Sequence, residues 1–121
     1  MLRFVAAIAN MGIASDMRLL ERSGIMAFVP SRASRIMHSD TADLLGGMMD
    51  HHSQGFPGLQ MHAKSGTAQV GGDRGPHAWF AGYITNEGYP LAFVVVVENG
   101  GGGTAVAGPI ANRVLQAAIQ M

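Results

Sequence analysis

The residues best suited to chemistry lie in one short run, Lys64-Ser65-Gly66-Thr67. Lys64 is the only lysine in a chain of 121 residues, so general solubility does not explain its presence. An ammonium group can hold a neighbouring hydroxyl in its less basic form and help to move a proton. Ser65 and Thr67 are two residues apart, which places their hydroxyls on one face of a strand, where they can hold a carboxylate. Gly66 leaves room for the backbone of a substrate.

Three strands are predicted around this run. The first covers residues 60–70 and carries the run, a turn-rich loop follows at 71–76, and the second strand covers 77–85. Asn86-Glu87-Gly88 is predicted to be a hairpin turn, because asparagine and glycine tolerate positive φ. The third strand, 91–98, has apolar residues on both of its faces, so both faces are expected to be buried.

The part of the chain before these strands begins with a predicted short helix. Apolar residues between Leu2 and Ala9 fit one helical face, and Gly12 is a plausible C-cap. Residues 13–35 mix arginines with short apolar groups, which indicates an irregular segment with one short strand at 27–29.

Two further helices are predicted. One is capped by Ser39 or Asp40 and ends by residue 55, and its Gly46-Gly47 pair is expected where another backbone packs closely. The last is capped by Thr104 and has Pro109 near its first turn, where a missing N–H costs least. Helices covering a three-stranded antiparallel sheet make an α+β fold.

Composition excludes several classes of function. The formal net charge is zero, so the chain has no basic field that would hold nucleic acid or a polybasic patch that would hold a membrane. Only 13% of the residues are charged, against about 25% in typical soluble domains, which suggests that part of the surface faces another protein segment. The absence of cysteine excludes disulfides and thiolate zinc sites.

Three other signals have plainer explanations. The chain has five histidines, His38, His51, His52, His62 and His77. No two of them form an i,i+4 pair with an acidic partner, so no metal site is expected. Gly100-x-Gly102-x-x-Ala105 mimics a dinucleotide fingerprint, but no second strand or ribose-binding acid follows, and no cofactor is expected. Lys64 alone also fits a lysine that protects a strand edge from aggregation.

The run at Lys64 resembles the Lys-Thr/Ser-Gly box of penicillin-binding transpeptidases and serine β-lactamases. Flanking segments of the chain resemble that superfamily in the same order: Ala7-Ile8-Ala9-Asn10, Thr41-Ala42-Asp43 through Met48-Met49, His77-Ala78-Trp79-Phe80-Ala81-Gly82, Val95-Val96-Val97-Glu98-Asn99-Gly100 and Gly108-Pro109-Ile110-Ala111. The resemblance covers nearly the whole chain and corresponds to roughly the last half of a transpeptidase domain.

The resemblance implies a role for each residue of the run. Residues 1–121 would be the C-terminal portion of a penicillin-binding D,D-transpeptidase domain, a partial β-lactamase/transpeptidase-like fold. Lys64 would be catalytic, and Ser65, Gly66 and Thr67 would bind a D-Ala-D-Ala stem peptide or a β-lactam. The N–H of Thr67 would contribute to an oxyanion hole, and the substrate would add beside this edge strand. The intact parent would cross-link peptidoglycan.

Two motifs of that superfamily are absent from the sequence. A Ser-x-x-Lys motif would need serine three residues before Lys64, where the chain has Met61. No serine or tyrosine is followed two residues later by asparagine. Because covalent catalysis needs a nucleophile and a base within hydrogen-bond reach, the isolated chain is expected to be inactive and to form no acyl-enzyme.

An alternative function is a non-catalytic module that binds peptides or a protein partner. The expected partners are the missing N-terminal half of the domain or a second copy of the chain, paired through the edge of the strand at 91–98. The parent is expected to be extracytoplasmic and anchored to the membrane. The chain itself shows no convincing signal or transmembrane segment, although residues 1–9 look slightly like a signal peptide.

Overall fold

The computed structural model describes residues 1–17, 32–50 and 55–121. These described residues form three α-helices and five strands, with a turn of π-helix before the last α-helix: α1 (Leu2–Ala9), β1 (Ile13–Ser15), β2 (Ala33–Arg35), α2 (Ser39–Met49), β3 (Met61–Ala68), β4 (His77–Ile84), β5 (Ala92–Val97), the π-helical turn (Gly103–Ala107) and α3 (Gly108–Ile119). The predicted α+β class with a three-stranded antiparallel sheet is confirmed.

The three-stranded sheet has the order β3-β4-β5, so β4 lies in the centre and the other two strands form its edges. Lys64 lies opposite Ala81 in this register, and Gly66 lies opposite Trp79. The turn between β4 and β5 is closed by a hydrogen bond from the Tyr89 N–H to the Asn86 carbonyl of 3.0 Å. The predicted hairpin turn is therefore confirmed.

One face of the sheet, which we call the closed face, is covered by the π-helical turn and α3. Phe80 is the largest side chain buried there, and its ring lies 5.7 Å from that of Phe56 and 5.9 Å from that of Phe93. The buried residues of this cluster are Phe56, Leu59, Met61, Ala63, Ala78, Phe80, Ile84, Ala107, Ala111 and Leu115. The closed face forms the main hydrophobic core.

The opposite face, which we call the open face, carries α1 and α2. Its buried cluster is smaller and consists of Val5, Ile8, Met49, Ala81 and Tyr83. Helix α1 buries Val5 and Ile8 at helical spacing and ends where Met11 and Gly12 take positive φ values of 50° and 89°. The first predicted helix is thus confirmed, including its end at glycine.

The helix starts differ from the predicted ones. No side-chain hydrogen bond caps α2, whose N-cap position is His38 rather than Ser39 or Asp40. The Ser39 hydroxyl is 3.4 Å from a carboxylate oxygen of Asp40 and does not cap a backbone N–H of the helix. Thr104 lies inside the π-helical turn and caps nothing, because Gly102 precedes that turn.

Two predictions about strands were incomplete. The segment 13–35 contains β1 and β2, which pair antiparallel with Ile13 opposite Arg35, and neither was predicted. The strand predicted at 27–29 lies outside the described residues. Strand β5 was expected to be buried on both faces, but it is only half-buried and Val96 is 42% exposed.

Candidate functional site

The predicted site residues lie on β3, at an edge of the sheet. Side chains alternate along a strand, so Ser65 and Thr67 share the closed face with the buried Ala63, while Lys64 lies on the open face. Lys64 is exposed, and its ammonium donates a hydrogen bond of 3.0 Å to the Ser65 carbonyl. A single ligand can therefore contact both hydroxyls and the ammonium only if it lies along the edge of β3. No described strand covers that edge.

Gly66 and Gly103 bring two backbones together at the centre of this run. A Cβ atom on Gly103 would collide with the backbone of Gly66 and with the Trp79 carbonyl. On the open face, a Cβ atom on Gly66 would lie 3.4 Å from the Cβ atom of Trp79. The strand is thus supported from behind by the π-helical turn, and Gly103 is a positioning residue that the sequence did not reveal.

A cavity of about 720 Å³ opens beside Lys64 on the open face. Helices α1 and α2 form its walls and strands β3 and β4 its floor. Its lining residues are Met1, Phe4, Val5, Ile8, Leu45, Met48, Met49, Lys64, Ser65, Gly66, Thr67, Ala68, Trp79 and Ala81. All four residues of the predicted site contribute to the lining, and the rest of the lining is apolar apart from the indole N–H of Trp79.

The rim of this cavity is unusually apolar for an exposed surface. Of the lining residues, Phe4 is 47% exposed on α1 and Met48 is 66% exposed on α2. Leu44, one helical turn before Met48, is also 66% exposed. A contiguous exposed apolar patch typically marks a site that another molecule covers. The low charge content predicted such a surface, but the sequence did not locate it.

Trp79 also has a different position from the one expected. A tryptophan on a strand is more often a core anchor, yet Trp79 is only half-buried and lines the cavity across from Gly66. Alternation along β4 predicts this position of Trp79. Ala78 and Phe80 are buried on the closed face, and Trp79, which lies between them, must face the other side of the sheet.

Helix α2 is fixed to the sheet near Lys64 by His62 and Tyr83. The two rings stack 4.8 Å apart at 8°, and His62 Nδ1 donates to the Gly46 carbonyl over 2.9 Å. Burial, followed by the charges of Asp43 and Asp50, raises the pKa of Tyr83 above its ordinary value. Gly46 is required because a Cβ atom there would collide with the Tyr83 hydroxyl, whereas Gly47 faces open space.

His77 supports the other end of the site. Its Nδ1 accepts a hydrogen bond of 2.9 Å from the N–H of Asn99, which has a positive φ of 53° just after β5. His77 is half-buried at the start of β4. Among residues 1–17, 32–50 and 55–121, no three histidine or acidic side chains group to hold a metal ion. His51 and His52 lie outside that description.

The comparisons with known proteins match this geometry. The family model for the penicillin binding protein transpeptidase domain matches residues 1–116. The chain therefore belongs to the family of penicillin binding protein transpeptidase domains, and the resemblance noted in its sequence is confirmed. Its sheet and covering helices are part of a transpeptidase fold.

Two curated relatives and one solved structure define the similarity further. The peptidoglycan D,D-transpeptidase PbpA of Mycobacterium tuberculosis (strain H37Rv) is 39% identical over 73 residues, covering 54% of this chain and 15% of the relative. PbpA of Mycolicibacterium smegmatis is 30% identical over 135 aligned residues, covering 95% of this chain and 28% of the relative. The imipenem acyl-enzyme complex of penicillin-binding protein A from M. tuberculosis matches with a TM-score of 0.77 and 29% identity. The match covers 98% of this chain and 29% of the chain in that structure.

The chain spans less than a third of the length of these relatives. In the part of the chain that the structure describes, no helix is long and apolar enough to cross a membrane.

Proposed function

We propose that Lys64, Ser65, Gly66 and Thr67 form one wall of a serine D,D-transpeptidase site, in a chain that represents the C-terminal portion of such a domain. The wall receives the carboxylate of a D-Ala-D-Ala stem peptide or of a β-lactam. The observation that carries the proposal is the position of this run on an open sheet edge beside a cavity of about 720 Å³. The acyl-enzyme structure of the similar mycobacterial protein supports the ligand class.

Each group of the wall has a separate role. The Lys64 ammonium attracts the ligand's negative charge and lowers the basicity of a nearby hydroxyl. The hydroxyls of Ser65 and Thr67 donate to the carboxylate, and the Thr67 N–H stabilises the negative oxygen that develops at the attacked carbonyl. The free edge of β3 pairs with the backbone of the substrate as an added strand.

The chain alone binds but does not acylate. None of its residues supplies the serine of a Ser-x-x-Lys motif, and alternation directs Ser65 away from Lys64. The nucleophile then comes from the N-terminal part of a transpeptidase domain, which covers the open face. A second copy of the chain at the edge of β5 is the other partner we propose. The intact parent is membrane-anchored and acts outside the cytoplasmic membrane.

Trp79 provides a test of ligand binding, because it is the only tryptophan and lines the cavity. Titration with a β-lactam or a D-Ala-D-Ala peptide should change its fluorescence in a saturable manner. Lys64→Gln should weaken binding roughly tenfold, as expected for loss of about 1.4 kcal/mol from one charge-assisted contact. Arg113→Gln, an exposed change on α3, is the matched control and should leave binding unchanged.

Absence of any saturable change up to millimolar ligand would refute the binding proposal. A gel of the chain treated with labelled penicillin should show no covalent band. A band on the isolated chain would overturn the assignment of the nucleophile to another segment.

A second candidate function is partner binding without catalysis. The exposed apolar side chains of Phe4 and Met48 at the cavity, with Leu44 nearby on the same helix, favour it, because a small polar ligand does not cover such a surface. The two candidate functions can be distinguished by adding the nucleophile-bearing part of the M. tuberculosis relative to the chain. Restored penicillin labelling indicates a split enzyme, whereas binding without labelling indicates a non-catalytic module.

A further inference from the structure

The hydrogen bond between His77 and Asn99 joins the start of β4 to the segment that follows β5. The Asn99 N–H donates to His77 Nδ1 over 2.9 Å. Because a backbone N–H can only donate, Nδ1 must be unprotonated and act as the acceptor. The His77 side chain therefore holds the chain at the point where it leaves the sheet.

Residues 99–103, which we call the glycine loop, run from the end of β5 to the closed face of the sheet. Asn99 has a positive φ of 53°, which turns the chain away from β5. The Gly101 N–H donates to the Pro76 carbonyl over 3.0 Å. This hydrogen bond and the one to His77 attach the glycine loop to two successive residues at the start of β4.

The last residue of the glycine loop, Gly103, lies directly behind the candidate site. A Cβ atom at Gly103 would collide with the backbone of Gly66 and with the Trp79 carbonyl, so the two segments are in close backbone contact. Four consecutive glycines, Gly100–Gly103, give the loop little stiffness of its own. Its attachment at His77 therefore helps to determine where Gly103 lies, and with it the support behind Gly66 and Thr67.

We infer that His77 is a positioning residue for the ligand-binding run, and that it acts through the glycine loop on Gly66 and Thr67. The inference rests on the proposed function, in which the Thr67 N–H stabilises the negative oxygen and its hydroxyl donates to the ligand carboxylate. Both groups need a fixed strand. His77 touches no ligand in this role, because its contribution is the acceptor that fixes the loop.

This role requires that His77 be unprotonated at Nδ1. Histidine side chains gain their second ring proton within the range of about pH 8 to pH 5, and both ring nitrogens then donate. The hydrogen bond from Asn99 is therefore present at the higher pH and is lost as the pH falls. Ala68, which lies opposite His77 on β3, and the glycine loop carry no charge. The charged residues on the neighbouring segments are all exposed, where solvent screens them: Asp73, Arg74 and Glu98.

Three variants test the role of His77 in ligand binding. His77→Ala removes the acceptor, whereas His77→Asn keeps one, because a side-chain carbonyl can take the place of Nδ1 and does not titrate. His38→Ala changes an exposed histidine and is the matched control. In β-lactam titrations followed by Trp79 fluorescence, His77→Ala should bind about fivefold more weakly, the effect of one lost hydrogen bond. His77→Asn and His38→Ala should bind as the unmodified chain does.

The pH dependence of binding provides a second comparison. Between about pH 7.5 and about pH 5.5, binding should weaken in the unmodified chain more than in His77→Asn, which has no imidazole at this position. The other histidines are the same in both chains, so the difference between the two profiles belongs to His77. Identical profiles would overturn the inference.

Amide NMR distinguishes this inference from the proposed function, because it needs no ligand. In His77→Ala, the N–H signals of Gly66 and Thr67 should shift together with those of Asn99 and Gly101, and His77→Asn should restore them. Shifts confined to the glycine loop, or equal ligand affinity of His77→Ala and the unmodified chain, would overturn the inference.

Two further outcomes are decided by the same signals. If the unmodified chain bound no ligand but Gly66 and Thr67 shifted as expected, the proposed function would fail and the positioning of the strand by His77 would stand. If His77→Ala did not fold, the Gly66 and Thr67 signals would be followed over the same pH range in the unmodified chain and in His77→Asn. An equal response of the two chains would then refute the role of His77.

Discussion

The two faces of the three-stranded sheet differ in how completely the chain covers them. On the closed face, the π-helical turn and α3 bury Phe80 and Met61 completely. On the open face, α1 and α2 leave the cavity beside Lys64, with Phe4 and Met48 exposed at its rim. The same sheet thus obtains most of its stability from one side and presents Lys64 on the other. Residues of similar type should respond differently according to the face they occupy.

The largest expected effect separates two phenylalanines. Phe80→Ala removes a fully buried ring from the closed face and should cost about 3–5 kcal/mol in the free energy of unfolding. Phe4→Ala removes a ring that is 47% exposed at the rim and should cost less than about 1 kcal/mol. Urea denaturation of both variants measures the difference. Equal losses would show that the open face is as well packed as the closed one.

Two alanines of β4 give a finer comparison. Ala78 is fully buried on the closed face, so Ala78→Val should destabilise the fold by about 1–3 kcal/mol through overpacking. Ala81 lines the cavity, where the two added methyl groups have space, so Ala81→Val should change stability by less than about 0.5 kcal/mol. Thermal unfolding of the pair is the measurement. If Ala81→Val were the more harmful change, the cavity would not be open at β4.

Two adjacent glycines test how α2 is held on the open face. Gly47→Ala should stabilise the helix by about 1 kcal/mol, because its Cβ atom would meet no other atom within 4 Å. Gly46→Ala should lose that gain, because its Cβ atom would collide with the Tyr83 hydroxyl. Chemical denaturation of both variants distinguishes the positions, and equal stabilisation would mean that Tyr83 does not lie against α2.

The smallest expected effect concerns alkaline pH. The folded chain holds Tyr83 in its neutral form with a raised pKa, so above about pH 10 the unfolded state loses this proton first. The stability that Tyr83 contributes is present below that pH and is lost as the pH rises through the folded pKa. Tyr83→Phe should therefore lose less stability than the unmodified chain between pH 9 and pH 11, within the range near about 10 where tyrosine titrates. Parallel losses would contradict the proposed burial of the hydroxyl.

Much of the fold was predictable because its elements have strong local signals. Helix α1 has apolar spacing and a glycine end, and the hairpin between β4 and β5 has Asn86 and Gly88 at its turn. The strands β1 and β2 were missed because each has three residues and β2 is exposed throughout. Their pairing joins residues far apart in sequence, which local patterns do not encode.

The sequence proposes the residues of the candidate site but not their surroundings. The spacing of Lys64, Ser65 and Thr67 determines which face each side chain occupies. The cavity depends on where α2 is held, and the stacked pair of His62 and Tyr83 that holds it is formed by residues on two strands. Gly103 was likewise hidden in a run of glycines, because its role is visible only in its close approach to Gly66.

Lys64 is the only side-chain amine in the molecule, and it is exposed at the mouth of the cavity. Apart from the α-amino group, an amine-selective reagent therefore has a single point of attachment. A photoreactive group attached at Lys64 would be within reach of any segment that fills the cavity, and the chain can thus be used to capture the molecule that completes it.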